Sequence, residues 1–288
     1  MKTPVSHCLK LLLLGWLALA PVSAADRGKP NIVIILADDL GYGDLRSYGG
    51  DRFNTANLDA LARGGVRFTD FHSNGAVCSP TRAALMTGRY QQRTGITGVV
   101  TARSHRHTGL DLAETTLAEI ARQAGYATAL VGKWHLGYQP DYNPIRQGFD
   151  EFIGYVSGNV DYHAHLDQTG AEDWWKQDRL HPMEGYTTDL ITEYGVDFIR
   201  RHRDRPFLLY LAHQAPHFPF QGRRDPPRYT REEGFTKDPL TLPVYTEMIE
   251  VMDEGIGRIR AAIEEAGLSE NTLIFFASDN GPAGLSTA

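Results

Sequence analysis

Residues 31–39 read Asn-Ile-Val-Ile-Ile-Leu-Ala-Asp-Asp, an unbroken apolar run that ends on two adjacent carboxylates. The run shows no polar alternation and is rich in β-branched side chains, which predicts a strand buried on both faces, as in the middle of a parallel sheet. Two carboxylates at its exit are costly unless something neutralises them. In an open α/β sheet that exit is also where ligands bind. A turn or capping role accounts for one of Asp38 and Asp39, whereas a hard divalent cation held by oxygens accounts for both.

The pattern recurs three times. Residues 126–131 predict a strand that exits into Gly132-Lys133-Trp134-His135-Leu136-Gly137. Residues 207–212 predict another, exiting into His213-Gln214-Ala215-Pro216-His217, and residues 272–277 a last one, exiting into Ser278-Asp279-Asn280-Gly281. Helical periodicity fills the intervals at 57–64, 116–124, 188–201 and 245–266, with glycine stops at Gly64, Gly125 and Gly267. In the third helix Ile191, Tyr194 and Ile199 mark the buried side. Residues 66–71 read as a further strand leading towards Cys78. Residues 140–165 read as a long loop facing the site, and 223–242 as a charged, proline-rich excursion. The expected fold is therefore α/β, a mostly parallel central sheet flanked by helices. If the strands are parallel, their exits converge at one edge. Three carboxylates and the Asn280 amide suit calcium better than magnesium, which retains more of its water.

Residues 78–82, Cys-Ser-Pro-Thr-Arg, open another helix. Pro80 suits its first turn, and the helix is expected to run to Gly88. Cys78 then lies at the N-terminal mouth, where backbone donors and the helix dipole favour an anion, with Arg82 one turn in. The plainer alternative is a buried free cysteine beside a structural arginine. Ser157, Asn159 and His163 are placed to reach such a site from the long loop. His105, His107, His163 and His165 come in alternating pairs that suit surface or loop positions better than a metal. Trp174 and Trp175 can stack on a sugar or simply pack.

The N-terminus reads as an export signal. Lys2 and Lys10 precede a short apolar run over 11–20, and Val22-Ser23-Ala24 fits a cleavage site, so residues 1–24 are expected to be removed. The run is too short for a stable membrane span. Cys8 leaves with it, which makes Cys78 the single remaining cysteine and rules out an intramolecular disulfide. A formal net charge of −6 argues against nucleic acid as a partner. Residues 25–288 are long enough for one large domain.

The run from Cys78 to Arg82, continued through Ala83–Arg89, resembles the signature of the type I sulfatases, within the alkaline phosphatase superfamily. Gly132–Gly137 resembles that family's Gly-Lys-Trp-His-Leu-Gly motif, and Gln147-Gly148-Phe149-Asp150 its continuation. The resemblance implies an alkaline phosphatase-like sheet and a sulfatase catalytic N-terminal domain over 25–288. It implies that a formylglycine-generating maturation enzyme oxidises Cys78 to formylglycine, whose hydrate is the nucleophile. It also implies that Arg82 steadies the alkoxide and that Lys133 and His135 contact formylglycine and the sulfate. His217 becomes the catalytic histidine, with His213 structural. Calcium (Ca2+) would be held by Asp38, Asp39, Asp279, Asn280 and position 78.

The implied substrate is a sulfate monoester, either an aryl sulfate or a sulfated glycan, met in the periplasm or after secretion. Two alternatives stand beside it. One is a formylglycine-dependent phosphodiesterase or phosphonate monoester hydrolase, and the other an inactive remnant that binds calcium and sulfated glycan. Relatives continue past the Asp-Asn-Gly turn with a second lysine and a smaller C-terminal domain, whereas this chain stops at Ala288. A fragment or a naturally short protein would account for this. Either implies an open pocket and weak activity or marginal stability.

Overall fold

The apolar run at residue 31 forms the strand its composition predicts, and the rest of the sheet assembles around it. A computed structural model describes residues 28–234 and 240–282. The expected export signal lies outside the described residues. The strands are β1 (Asn31–Asp38), β2 (Ala127–Lys133), β3 (Glu151–Tyr155), β4 (Trp175–Lys176), β5 (Arg179–Leu180), β6 (Phe207–Pro216) and β7 (Thr272–Ser278). The helices are α1 (Ala56–Arg63), α2 (Cys78–Thr87), α3 (Gln91–Thr94), α4 (Leu117–Gln123), α5 (Thr187–Arg201) and α6 (Leu242–Glu265).

One sheet runs in the order β5-β4-β3-β2-β6-β1-β7. Its β3, β2, β6, β1 and β7 pair in parallel, and only the short β4 and β5 run antiparallel. Successive side chains of β1 therefore serve two cores. Val33, Ile35 and Ala37 pack with α5 and α6 on one face, while Ile34 and Leu36 pack with α2 and α4 on the other. This is the helix-flanked, mostly parallel α/β sheet that the strand pattern implies.

The parallel arrangement puts the ends of β1, β2, β6 and β7 on one edge. Asp38 lies opposite Pro216, after an irregularity in the β1–β6 register, and Ala37 opposite Ser278. Beneath Lys133 the backbones of β2 and β6 touch at Gly132. It has a φ of 109°, and a Cβ there would meet the Ala212 carbonyl oxygen at 2.1 Å. Only glycine lets these strands close at that point.

Four expectations need correction. Residues 66–71 are not a strand. The segment pairs with no strand among the described residues and buries neither face, so Val66, Phe68 and Phe71 stay exposed along the surface. Residues 140–165 are not all loop, because 151–155 form β3 beside β2; its Gly154 comes close enough to Gly132 that a side chain would not fit. The strand beginning at Phe207 does not stop at 212 but continues to Pro216, which places His213 and Gln214 inside the sheet. Tyr194 is only half-buried, unlike Ile191 and Ile199.

Candidate active site

Helix α2 starts at Cys78, with Val77 as an extended N-cap, and ends at Gly88 in the left-handed conformation. It lies over the edge where the strands end. Its side chains are mostly buried, Cys78 and Arg82 among them. Cys78 is on the wall of a cavity of about 390 Å³ that Asp39, His135, His217 and Asn280 also line.

Arg82 is fully enclosed and reaches the carboxylates. Its Nη2 donates to Asp279 Oδ2 at 2.9 Å and lies 3.7 Å from Asp38 Oδ1. Its Nη1 donates to the Lys133 carbonyl at 3.3 Å and to the Tyr210 hydroxyl at 3.4 Å. Lys133 Nζ in turn donates to Asp38 Oδ2. Burial works against these cations, but Tyr210, Asp279 and Asp38 hold Arg82 above its ordinary range, and Asp38 does the same for Lys133. Two fixed positive charges therefore stand beside position 78. Burial pushes the Cys78 thiol up to about 11, so it remains protonated at neutral pH and is a poor thiolate nucleophile as it stands.

The acidic residues gather as expected. Oxygen atoms of Asp38, Asp39 and Asp279 lie within 4.8 Å of one another. A ligand atom of Asp38 meets those of Cys78 and His217 within the same limit. Burial and the Asp38 charge push the Asp279 carboxyl up to about 6. Asp38 Oδ1 and Asn280 Oδ1 are both buried without a hydrogen-bond donor. Unpartnered oxygens in a cluster of three carboxylates suit a hard, oxygen-seeking cation, so the residues present fit calcium. Asp39, at a φ of 59°, takes a hydrogen bond from the Asn280 amide nitrogen and lies 3.6 Å from His217 Nε2.

The histidines separate into distinct environments. His135 is also left-handed, at a φ of 58°. Its Nε2 donates to the Val100 carbonyl at 3.0 Å, which leaves the buried Nδ1 as an unpartnered lone pair. Burial, then the charges of Lys133 and Arg82, lower its pKa well below the ordinary range, so the ring is neutral. Gly158 packs so closely on this ring that a Cβ there would meet Nε2 at 2.7 Å. His217 Nδ1 donates to the Phe218 carbonyl at 2.6 Å. His213 is buried in β6 and does not line the cavity. His163 Nε2 donates to the Gly222 carbonyl, and His165 stacks on Trp174. Neither of these lines the cavity, and neither does Trp174 or Trp175.

Ser157 and Asn159, expected to reach the site from the long loop, do line the cavity. Other lining residues, Tyr138, Gln168 and the segment from Val99 to Ala102, carried no clear signal in the sequence. Ser79 Oγ accepts from the Val100 N–H at 3.1 Å, and the Tyr138 hydroxyl donates to the same Val100 carbonyl that fixes His135. Tyr210, which supports Arg82, sits inside an apolar strand and looks like any core aromatic. The second residue of the Cys-Ser-Pro-Thr-Arg run offered the only trace of the Val100 contact, and nothing nearby in sequence pointed to its partner.

A family model described as Sulfatase matches residues 30–286. An N-acetylgalactosamine-6-sulfatase of Canis lupus familiaris is 36% identical over 296 residues, covering 93% of this chain and 54% of its own length. Arylsulfatase A of Homo sapiens is 37% identical over 296 residues, covering 92% of this chain and 54% of its own. The chain thus spans about half the length of the curated relatives it matches. Among solved structures, Ps i-CgsB in complex with k-i-k-neocarrahexaose superposes with a TM-score of 0.77 at 30% identity, covering 88% of this chain and 59% of that one. The phosphonate monoester hydrolase of Agrobacterium radiobacter shares the fold, with a TM-score of 0.60 at 22% identity, covering 88% of this chain and 63% of that one.

Proposed function

The chain belongs to the sulfatase family, and from that premise we propose that its cavity hydrolyses sulfate monoesters, aryl or carbohydrate. The observation that carries this reading is the position of Cys78, on the cavity wall between the carboxylate cluster and the buried cations Arg82 and Lys133. Here position 78 is converted to formylglycine by a maturation enzyme, its hydrate supplying the attacking oxygen. A calcium ion held by Asp38, Asp39, Asp279, Asn280 and position 78 would supply positive charge to the ester.

The chain's own residues do the rest. Arg82 and Lys133 stay charged and sit fixed in a water-poor pocket, where they offset negative charge that develops on the ester oxygens at no cost in reorientation. His135 presents a neutral Nδ1 lone pair and accepts the proton released at position 78. His217, with its Nδ1–H committed to the Phe218 carbonyl, delivers a proton from Nε2 to the leaving oxygen when it enters the step as the imidazolium, and is left as the neutral ring. Asp39 holds that ring on the cavity side. Residues 1–24 serve as a cleaved export signal and residues from 25 on as the catalytic N-terminal part of a sulfatase, which suits a periplasmic or secreted enzyme. Among the described residues no helix is long and apolar enough to cross a membrane.

The test takes protein from a host able to modify it. The mass of the peptide containing residue 78 is measured, and turnover of 4-nitrophenyl sulfate is compared with that of bis(4-nitrophenyl) phosphate. An aldehyde at position 78 with preferential sulfate release is the expected result. Cys78→Ala retaining full sulfatase turnover would overturn the scheme. Faster diester cleavage would reassign the chain to phosphodiester chemistry. Calcium-dependent binding of sulfated sugar without sulfate release would identify a binding remnant.

A further inference from the structure

The segment that forms one wall of the cavity continues directly into a basic, exposed stretch. Val99, Val100, Thr101 and Ala102 line the cavity, and the next five residues are Arg103, Ser104, His105, Arg106 and His107, all exposed. Arg103 Nη2 donates to the backbone carbonyl of Gln168 at 3.4 Å, and Gln168 itself lines the cavity. Arg103 therefore stands at the rim. Its hydrogen bond goes to a neutral acceptor, and among the described residues it makes no ion pair.

Arg106 lies over the ring of Tyr138, another lining residue, at 5.6 Å from its centroid. Its Nη2 donates to Asp167 Oδ2 at 3.3 Å and to the Thr169 hydroxyl at 3.2 Å. That carboxylate is already engaged through its other oxygen, which accepts from the Thr169 N–H, the Thr169 hydroxyl and the Ala171 N–H. His105 accepts the Thr101 N–H at Nδ1, which makes its Nε2 the N–H of the neutral ring. The rim thus sets two guanidinium groups against one carboxylate, Asp167, which of the two pairs only with Arg106, on a chain whose formal charge is −6. An acidic protein repels polyanions at long range, and a local basic rim reverses that at the one place where a substrate enters.

We propose that Arg103 and Arg106 form a second anion subsite, so that the preferred substrate carries a further sulfate or carboxylate beside the ester being cleaved. This rests on the sulfate-ester reading of the cavity and narrows its substrate class to polyanionic carbohydrate. Planar guanidinium groups suit both anions, since each offers paired oxygens. A simple aryl sulfate fills the inner cavity and leaves the rim unused.

The test uses the matured protein with calcium in excess and follows inhibition of 4-nitrophenyl sulfate turnover by sucrose octasulfate and by inorganic sulfate. The wild type should favour the octasulfate at low salt and lose much of that preference at high salt. An Arg103→Ala/Arg106→Ala variant should shrink the ratio of the two inhibition constants by about fivefold or more, as expected for losing two charge-assisted contacts at an exposed rim. Arg203→Ala, exposed just before β6 at the opposite edge of the sheet, serves as a control for net charge and should leave the ratio alone. An unchanged ratio in the double variant overturns the subsite. Should the wild type fail to turn over 4-nitrophenyl sulfate at all, the activity reading falls by itself. Calorimetric titration of sucrose octasulfate into both proteins then still decides the subsite, and equal affinities reject it.

Discussion

The two walls of the cavity are built in different ways. One wall is the set of strand ends: Asp39 after β1 and Asn280 after β7 line the cavity, and behind them Asp38 and Asp279 are fully buried, with oxygens of the three aspartates within 4.8 Å of one another. Backbone ladders fix these positions, and the side chains keep unpartnered oxygens. The other wall is made of segments far apart in sequence, Val99 to Ala102, Tyr138, Ser157 to Asn159 and Gln168, held by hydrogen bonds between loops. There almost every polar group is already satisfied. The first wall stores uncompensated charge for a ligand, and the second spends its polar groups on holding shape.

The largest effect expected from this contrast is at Asp38. It is the carboxylate that faces both Lys133 and Arg82 within a fully buried cluster. Asp38→Ala leaves two cations with one carboxylate between them, and should cost about 3–5 kcal/mol of stability as well as sulfate-ester turnover. Urea denaturation and 4-nitrophenyl sulfate assays check this. A denaturation midpoint equal to the wild type's would mean that the cluster is not the closed, charge-dense wall described.

The same wall should respond to calcium in a pH-dependent way. Burial and the neighbouring Asp38 raise the Asp279 carboxyl from 3.8 to about 6 in the folded, cation-free protein. A raised carboxyl favours the protonated form, so stability from this group is present at low pH and is lost as pH rises through about 6. A bound cation removes that penalty, whereas at acid pH it must first displace the proton. Calcium at about a hundred times its dissociation constant adds about 2.7 kcal/mol. The resulting rise in Tm should be larger at about pH 7.5 than at about pH 5, and differential scanning fluorimetry reads it directly. A gain that grows towards acid pH would contradict the assignment.

The strand-end wall was legible in the sequence because each part of it is local. An apolar run predicts a strand, the next residues are its exit, and parallel pairing brings the exits together without further information. Asp38, Lys133 and Asp279 follow from that reading, whereas Cys78 is marked by the start of α2. The loop wall was not legible, because its contacts join residues separated by 21 positions for Ser79 and Val100 and 9 for Asn159 and Gln168. No periodicity marks such pairs. The strand expected at 66–71 failed for a related reason: β-branched and aromatic content says that a segment can pair, but not that it has a neighbour, and this one lies exposed outside the sheet. The missed β3 shows the converse, where a five-residue segment rich in glycine and aromatic residues is a strand because β2 is open beside it.

A loop wall held by satisfied hydrogen bonds should lose shape before it loses charge. Asn159 joins three segments: its amide donates to the Phe218 carbonyl at 3.2 Å and the Tyr229 hydroxyl at 2.9 Å, and its oxygen accepts from Gln168 at 2.6 Å. Asn159→Ala should cost about 2 kcal/mol, the price of leaving buried partners unpaired. KM for a sulfated sugar should rise with little effect of calcium on the defect. A calcium-suppressible defect would show that the two walls are not separate.

The smallest effect sharpens the comparison most, because it sits where the walls meet. Ser79 follows Cys78 yet turns its hydroxyl to the loop wall, accepting the Val100 N–H, while the Val100 carbonyl accepts from Nε2 of His135. Removing the hydroxyl leaves that N–H buried and unpartnered, at a cost of about 1 kcal/mol. The imidazole should then be held less firmly in its ring orientation. If His135 accepts a proton after binding, as proposed, Ser79→Ala should lower kcat by about fivefold and leave KM nearly unchanged, as expected for an interaction that matters after the substrate has bound. The comparison is valid only at matched formylglycine content, which the mass of the residue-78 peptide supplies. A change confined to KM would place Ser79 with the shape-holding residues alone, whereas the kcat change makes the loop wall a part of the proton path.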